Sequence, residues 1–241
     1  MNDSEIADLI AKLDDGHKPT VRAAVDALIP LAAKFPSVQE ALNRRLHAGP
    51  KREWPVAYIL AHLPRPSQRT IRTLLDALDH READIRWAIA LLLVRIAKDQ
   101  PAMVNQLMDL CATGTANQKR MALYCIRDLT LSDANSLAAL LGALLDLDPT
   151  VRVAAAISLK SRSDLDHAGR DALLQAYLKD TELRVRNAAA ITLAHLGETS
   201  AKFLSALQQA VDGEDEQVRK TAVTALALIK KRPASAENES R

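Results

Sequence analysis

The chain has 241 residues, of which 48% are hydrophobic and only 3% aromatic, and 32 basic residues nearly balance 30 acidic ones. A net charge of +2 gives no overall attraction toward nucleic acid or a membrane surface. No apolar run is long enough to cross a bilayer, and no basic stretch followed by an apolar one opens the chain, so we expect a cytoplasmic protein.

Apolar residues recur at helical spacing along the whole chain, and no stretch alternates as an exposed strand would. We therefore predict an all-α protein. The predicted helices span residues 4–13, 19–33, 36–47, 51–62, 67–79, 82–97, 101–112, 116–129, 133–146, 149–159, 167–179, 182–196, 200–211 and 216–230. Pro30 should kink or end the second of them. We predict a single domain at residues 1–231 and a disordered tail at 232–241, where apolar anchors are lacking.

One short motif, Val-Arg followed by alanines, returns at nearly constant spacing. Its copies begin at positions 21, 54, 85, 119, 151, 185 and 218. Two copies are weaker, since Pro55 replaces the arginine in one and Lys119 replaces the valine in the other. Such spacing is typical of helix–turn–helix repeats, which bury their apolar faces by stacking on their neighbours. The sequence therefore predicts an α-solenoid, a right-handed superhelix of about seven helix pairs.

The acidic turn, the Val-Arg step and the alanine-rich helix resemble the HEAT-like repeats that are also found in phycobilin lyases. The resemblance covers roughly residues 3–230 and implies the fold rather than an activity, because only the repeat itself matches. In such repeats a turn aspartate pairs with the motif arginine and forms a ladder between repeats. The resemblance implies a ladder of Arg22, Arg86, Arg120, Arg152, Arg186 and Arg219 with Asp146 and Asp180. Anion binding by these arginines is the alternative.

Helical geometry directs the residues two, five and nine positions after each motif start away from the predicted core. In repeats two to four these positions hold large apolar and aromatic residues, which favour protein contacts. We predict a concave groove for a helix or peptide of another protein, formed by Val56, Ile59, Trp87, Met121 and Tyr124. Alternatively, stacking between repeats buries these side chains, and the exposure of Trp87 and Tyr124 distinguishes the two possibilities.

A second candidate surface is a basic zone in repeats two and three. Its members are Arg44, Arg45, Lys51, Arg52, Arg65, Arg69 and Arg72. Such a zone could hold phosphates, and binding would then fall steeply with salt. The simpler interpretation is a solvated edge of the helices.

Signals of catalysis or metal binding are weak. The chain has no glycine-rich phosphate loop, no C-x-x-C and no H-E-x-x-H. HEAT-like deoxyhypusine hydroxylases hold iron with adjacent His-Glu pairs, and no histidine here is followed directly by glutamate. Cys111 and Cys125 fall in the two helices of one repeat, where we expect buried free thiols. We predict no cofactor, no metal and no catalytic residue.

These patterns favour a non-enzymatic scaffold or adaptor, a monomer that binds another protein along its concave face and does not act at a membrane. One alternative is a nucleic-acid-binding or repair module that uses the basic zone. Another is a chaperone for a cofactor-bearing protein, in the manner of the phycobilin lyases.

Overall fold

The computed structural model describes residues 3–47, 53–162 and 164–231, and within them it contains helices and no strand. The α-helices are α1 (Asp3–Ala11), α2 (Lys18–Lys34), α3 (Pro36–His47), α4 (Glu53–Leu60), α5 (Gln68–Ala77), α6 (Ala83–Asp99), α7 (Ala102–Thr113), α8 (Ala116–Asp128), α9 (Ala134–Ala143), α10 (Pro149–Ser158), α11 (His167–Lys179), α12 (Leu183–His195), α13 (Ala201–Val211) and α14 (Glu216–Lys231). Short 3-10 helices follow α1 and α10. The predicted all-α class is confirmed. The predicted tail at 232–241 lies outside the described residues.

The helices divide into two compact units, Met1–Asn105 and Gln106–Arg241, with α7 crossing the boundary. Each unit is built from the predicted helix pairs, in which an even-numbered helix follows its odd-numbered partner. We call the even-numbered members, from α2 to α14, the second helices. The prediction of one domain over 1–231 stays a prediction.

In unit 1 the second helices supply most of the core. Leu28, Ile59 and Ile89, one from each of α2, α4 and α6, are fully buried. Leu42 of α3 and Leu74 of α5 are fully buried as well. Pro30 does not end α2, because this helix continues to Lys34, and the alternative that Pro30 kinks the helix stays a prediction.

In unit 2 adjacent second helices approach closely enough for side chains to bond to a neighbouring backbone. The Ser158 hydroxyl donates to the Leu123 carbonyl at 3.3 Å, and the Thr192 hydroxyl donates to the Ala156 carbonyl at 2.9 Å. Ala156 and Ala190 are completely buried at equivalent places in α10 and α12. Because alanine adds only a methyl group, it lets the next repeat pack against the helix backbone.

Several helices begin at a side-chain cap that the sequence supplies. These N-caps are Ser67, Thr115, Asp133, Asp148, Asp166 and Ser200. Each satisfies a backbone N–H at the start of its helix and stabilises it by about 1 kcal/mol. Thr115 also takes part in a complete capping box with Gln118. The turns between helices are therefore specified locally.

The two cysteines are buried free thiols. Burial raises the pKa of Cys111 to about 12, and burial likewise raises the pKa of Cys125. Both thiols are therefore protonated near neutral pH, which makes them poor nucleophiles. Within the described residues, no helix has both the length and the apolar character needed to span a membrane.

Candidate functional site

The burial pattern shows which side of each second helix faces outward. In α6, Trp87 is 40% exposed and Leu91 one turn later is 61% exposed, whereas Ala90 and Val94 are buried. The exposed row therefore runs through the residues two and six positions after the motif start. The position five residues after the start is a buried alanine in α6, α10 and α12, namely Ala90, Ala156 and Ala190, whereas Val223 at this position in α14 is 51% exposed.

Three residues of the predicted groove belong to the core. Val56, Ile59 and Met121 are 0%, 0% and 1% exposed, so the prediction that they face a partner is wrong. The reason is a shift in helix phase, since each residue of slip turns a side chain by about 100°. Trp87 is exposed and Tyr124 is half-buried, with the Arg127 guanidinium 5.0 Å from its ring centroid.

In α4 the shift in helix phase exposes a different row of side chains. This helix begins at Glu53, which puts Pro55 in the first turn, where proline is tolerated. Trp54 and Tyr58, four residues apart, are consequently half-buried side chains on the open side of the helix. The sequence prediction missed both, although Pro55 was the signal that the copy of the motif starts before Trp54.

Trp54 and Tyr58 line a cleft of about 540 Å³ within unit 1. One wall is α2, which contributes Val21, Arg22, Val25 and Asp26, and the other is the start of α6 with the turn before it. The residues from that second wall are His80, Arg81, Glu82, Asp84, Ile85 and Ala88. The cleft is thus formed by three successive second helices, and it combines an aromatic floor with charged walls.

Lys18 joins the two walls directly. Its ammonium group lies 2.6 Å from a Glu82 carboxylate oxygen and 2.5 Å from one of Asp84. Hydrogen bonds to Asp84 and Glu82 raise the pKa of Lys18, and the hydrogen bond from Lys18 lowers the pKa of each carboxyl group. All three groups are therefore charged near neutral pH. The contact links repeat one to repeat three past repeat two.

The aromatic floor is held in a fixed arrangement. The Trp54 and His80 rings pack edge to face with centroids 5.7 Å apart. The Glu82 backbone N–H donates to Nδ1 of His80 at 3.1 Å, which requires that nitrogen to be unprotonated. Arg86 donates to the backbone carbonyls of His80 and Arg81, and these hydrogen bonds hold the turn that forms this wall.

The predicted ladder is present in part in unit 2. Arg152 binds Asp180 through two contacts of 2.7 and 2.9 Å. Asp146, however, accepts from Lys119 at 2.8 Å, whereas Arg120 donates to Asn117. The assignment of Arg120 to the ladder is wrong, because α8 is shifted by one residue relative to the motif.

Most of the other arginines of the predicted ladder form hydrogen bonds with the turn that precedes their own helix. Arg86, Arg186 and Arg219 each donate to two carbonyl oxygens of the turn that precedes their helix, as Arg152 also does. Arg22 lines the cleft. The common role of the motif arginine is therefore to hold the turn between the two helices of a pair.

Two arginines of the basic zone form contacts with other residues of the fold. Arg45 pairs with Asp14 at 2.6 Å, and Arg69 donates to the Leu46 carbonyl and to Glu53. Lys51 and Arg52 lie outside the described residues. The exposed arginines of the zone that make no such contact are Arg44, Arg65 and Arg72. No group of three His, Cys, Asp or Glu side chains in the described ranges is arranged to hold a metal ion.

Comparison with known proteins agrees with this architecture. A family model for HEAT repeats matches residues 170–237. The crystal structure of YibA from Escherichia coli aligns with a TM-score of 0.58 and 16% identity, covering 96% of this chain and 93% of that one. No curated protein sequence matches. The match assigns residues 170–237 to the HEAT repeats, and the chain has the fold of an α-solenoid.

Two more solved structures align at lower similarity. Human deoxyhypusine hydroxylase in complex with glycerol gives a TM-score of 0.43 and 14% identity, covering 95% of this chain and 97% of that one. A designed armadillo repeat protein in complex with a (KR)4 peptide gives a TM-score of 0.45 and 14% identity, covering 93% of this chain and 99% of that one.

Proposed function

We propose that this protein is a non-enzymatic scaffold that binds a helix or extended segment of another protein in the cleft of unit 1. The observation that carries the proposal is the pair Trp54 and Tyr58 on the floor of that cleft, between walls of both charges. Large aromatic side chains in a concave, partly desolvated setting are the residues that dominate protein-binding energies. Trp87 and Leu91 extend the apolar surface along α6.

The polar groups of the cleft fit a protein segment better than a nucleic acid. Arg22 and Arg81 are opposed by Asp26, Glu82 and Asp84, so a phosphate backbone would meet carboxylates as well as guanidinium groups. A peptide offers side chains of both signs along with backbone groups, and it can match such walls. Electrostatic matching of this kind determines the choice of partner and the association rate more than affinity.

The test is affinity capture from the native host followed by measurement of the captured segment. We expect Tyr58→Ser and Trp54→Ala each to weaken binding at least about tenfold, because each removes an aromatic contact from the floor. Val223→Ala, which alters an exposed apolar residue of unit 2, is the matched control and should bind normally. Circular dichroism confirms that the variants are folded.

Equal binding by Tyr58→Ser and the wild type would contradict the proposal. The nucleic-acid alternative makes a different prediction, namely that the chain binds generic DNA with an affinity that falls steeply with salt and that Arg44→Ala or Arg72→Ala reduces it.

A further inference from the structure

We propose that the segment bound in the cleft of unit 1 is a helix that places an acidic side chain between Arg22 and Arg81. This inference rests on the proposed function and names the chemistry of its partner. Both arginines line the cleft, Arg22 from α2 and Arg81 from the turn before α6, so they belong to its two walls. Trp54 and Tyr58 form the floor between these walls.

Arg22 differs from the other arginines of the repeated motif. Four of these donate to two carbonyl oxygens of the turn that precedes their helix, namely Arg86, Arg152, Arg186 and Arg219. The Arg22 side chain is exposed, and its guanidinium group has no hydrogen-bond acceptor or ion-pair partner among the residues that the structure describes. It is therefore free to bind an anion of a ligand.

The difference between Arg22 and the other motif arginines has a local cause in the start of α2. The N-cap of α2 is His17, five residues before Arg22. The N-cap of α10 is Asp148, only four residues before Arg152. The His17 carbonyl already accepts backbone N–H groups of the first turn of α2, whereas Arg152 binds carbonyls of the turn before its helix. The earlier start of α2 thus removes the acceptors that hold the arginine in other repeats.

Arg81 supplies the second cation of the cleft. Its side chain is exposed, and its guanidinium group forms no hydrogen bond or ion pair within the described part of the chain. The backbone at this position is held, because Arg86 donates to the Arg81 carbonyl at 3.0 Å. A carboxylate suits two such groups, since the planar guanidinium fork can bind both carboxylate oxygens at once.

The negative groups of the cleft do not satisfy these arginines. Glu82 and Asp84 are engaged by Lys18. Asp26 is exposed one helical turn after Arg22, and no ion pair joins the two in the described ranges. Among the described residues of the cleft, two cations and one anion are thus left without a partner. The three carboxylates repel a doubly charged phosphate more than a single carboxylate, which favours an acidic side chain as the ligand.

The spacing of the cleft residues favours a helix as the bound segment. Trp54 and Tyr58 are four residues apart on α4, and Arg22 and Asp26 are four residues apart on α2. Four residues advance a helix by about 6 Å, and side chains at this interval lie on one face. A partner helix with an acidic and a basic residue four positions apart therefore sets the acid against Arg22 and the base against Asp26. Its apolar side chains then contact the aromatic floor, as in other helix-in-groove complexes.

The experiment is selection from a phage-displayed library of random peptides of about 16 residues, enough for roughly four helical turns. The targets are the full chain and its variants Arg22→Glu and Arg81→Glu. We expect the wild type to enrich peptides with Asp or Glu among apolar residues, and each variant to lose that preference. Arg72→Glu is the matched control, because it makes the same charge change at an exposed arginine of unit 1 that does not line the cleft. It should select the same peptides as the wild type.

Fluorescence anisotropy of the most enriched peptide then measures the contribution of its acidic residue. Replacing that residue with its amide should weaken binding to the wild type about tenfold, because the arginines lose their carboxylate. The same replacement should change binding to Arg22→Glu by less than about twofold, since the ionic contact is already absent there.

The outcomes separate this inference from the proposed function. Peptides that require Tyr58, as judged with Tyr58→Ser, but contain no acidic residue would overturn the inference and leave the proposed function standing. Equal binding of one peptide by Arg22→Glu, Arg81→Glu and the wild type would do the same. If no peptide is enriched, or if the enriched peptides bind Tyr58→Ser as tightly as the wild type, the proposed function fails and the inference fails with it.

Discussion

Replacing Arg162 with methionine is expected to lower the free energy of unfolding of unit 2 by about 3 kcal/mol. The side chain is 4% exposed, and its guanidinium group donates to the Leu131 carbonyl at 2.9 Å and the Ser136 hydroxyl at 2.8 Å. It also binds both carboxylate oxygens of Asp164 at 2.7 and 2.8 Å. Methionine keeps much of the volume, but it leaves the fully buried Ser136 hydroxyl and the carbonyl without their donor.

Urea unfolding followed by circular dichroism measures this loss. Arg127→Met is the matched control, because the Arg127 side chain is 27% exposed and its ion pair is with the adjacent Asp128. We expect the control to change stability by less than about 1 kcal/mol. If the two variants unfold at the same urea concentration, the buried guanidinium network contributes far less than its geometry indicates.

The second large effect is expected at the ladder, where Asp180→Asn should destabilise unit 2 by about 2 to 3 kcal/mol. The Asp180 and Arg152 side chains are 8% and 13% exposed, so the substitution leaves a largely buried guanidinium group without its carboxylate. Asp180 also accepts a hydrogen bond from the Glu182 backbone N–H at the start of α12. A double-mutant cycle with Arg152→Met separates the ion pair from that local bond.

The same pair should make stability depend on pH in a defined direction. The hydrogen bond from Arg152 lowers the pKa of Asp180 in the folded protein below that of the unfolded chain, which is about 3.9. The stabilisation is therefore fully present above that value and is lost as the pH falls through the lower folded pKa. We expect the stability difference between wild type and Asp180→Asn to be constant from about pH 5 to 8 and to shrink below about pH 4. A difference that grew on acidification would contradict this assignment.

Sequence reasoning succeeded where local signals determine the structure. The spacing of the motif and the helical periodicity of the apolar residues gave the helix pairs, because apolar periodicity acts within one or two turns. It failed at the outward face of α4 and α8, where the Val-Arg motif is degraded and the start was misplaced. A slip of two residues in α4 rotated the expected surface by about 200°, so that Val56 and Ile59 were predicted in place of Trp54 and Tyr58.

The cleft itself could not be predicted from spacing. It depends on how strongly consecutive repeats of unit 1 curve, and the Lys18 contacts with Glu82 and Asp84 connect residues that no local pattern relates. The contact between Lys119 and Asp146, by contrast, could have been predicted from the sequence. The cation and the aspartate are 27 residues apart in Lys119 and Asp146 and 28 apart in Arg152 and Asp180, so a comparison of these intervals favours Lys119 over Arg120.

The ladder of ion pairs also predicts which helices unfold locally first. Gly213 occupies the place in repeat seven that Asp146 and Asp180 hold in the repeats before it, and among the described residues no ion pair connects Arg186 to the turn before α14. Repeat stability is a sum of intrinsic and nearest-neighbour terms, so a missing crosslink weakens the coupling of the last helix pair. Fraying should therefore start at α13 and α14, and their amide hydrogens should exchange with solvent well before those of α10 and α12.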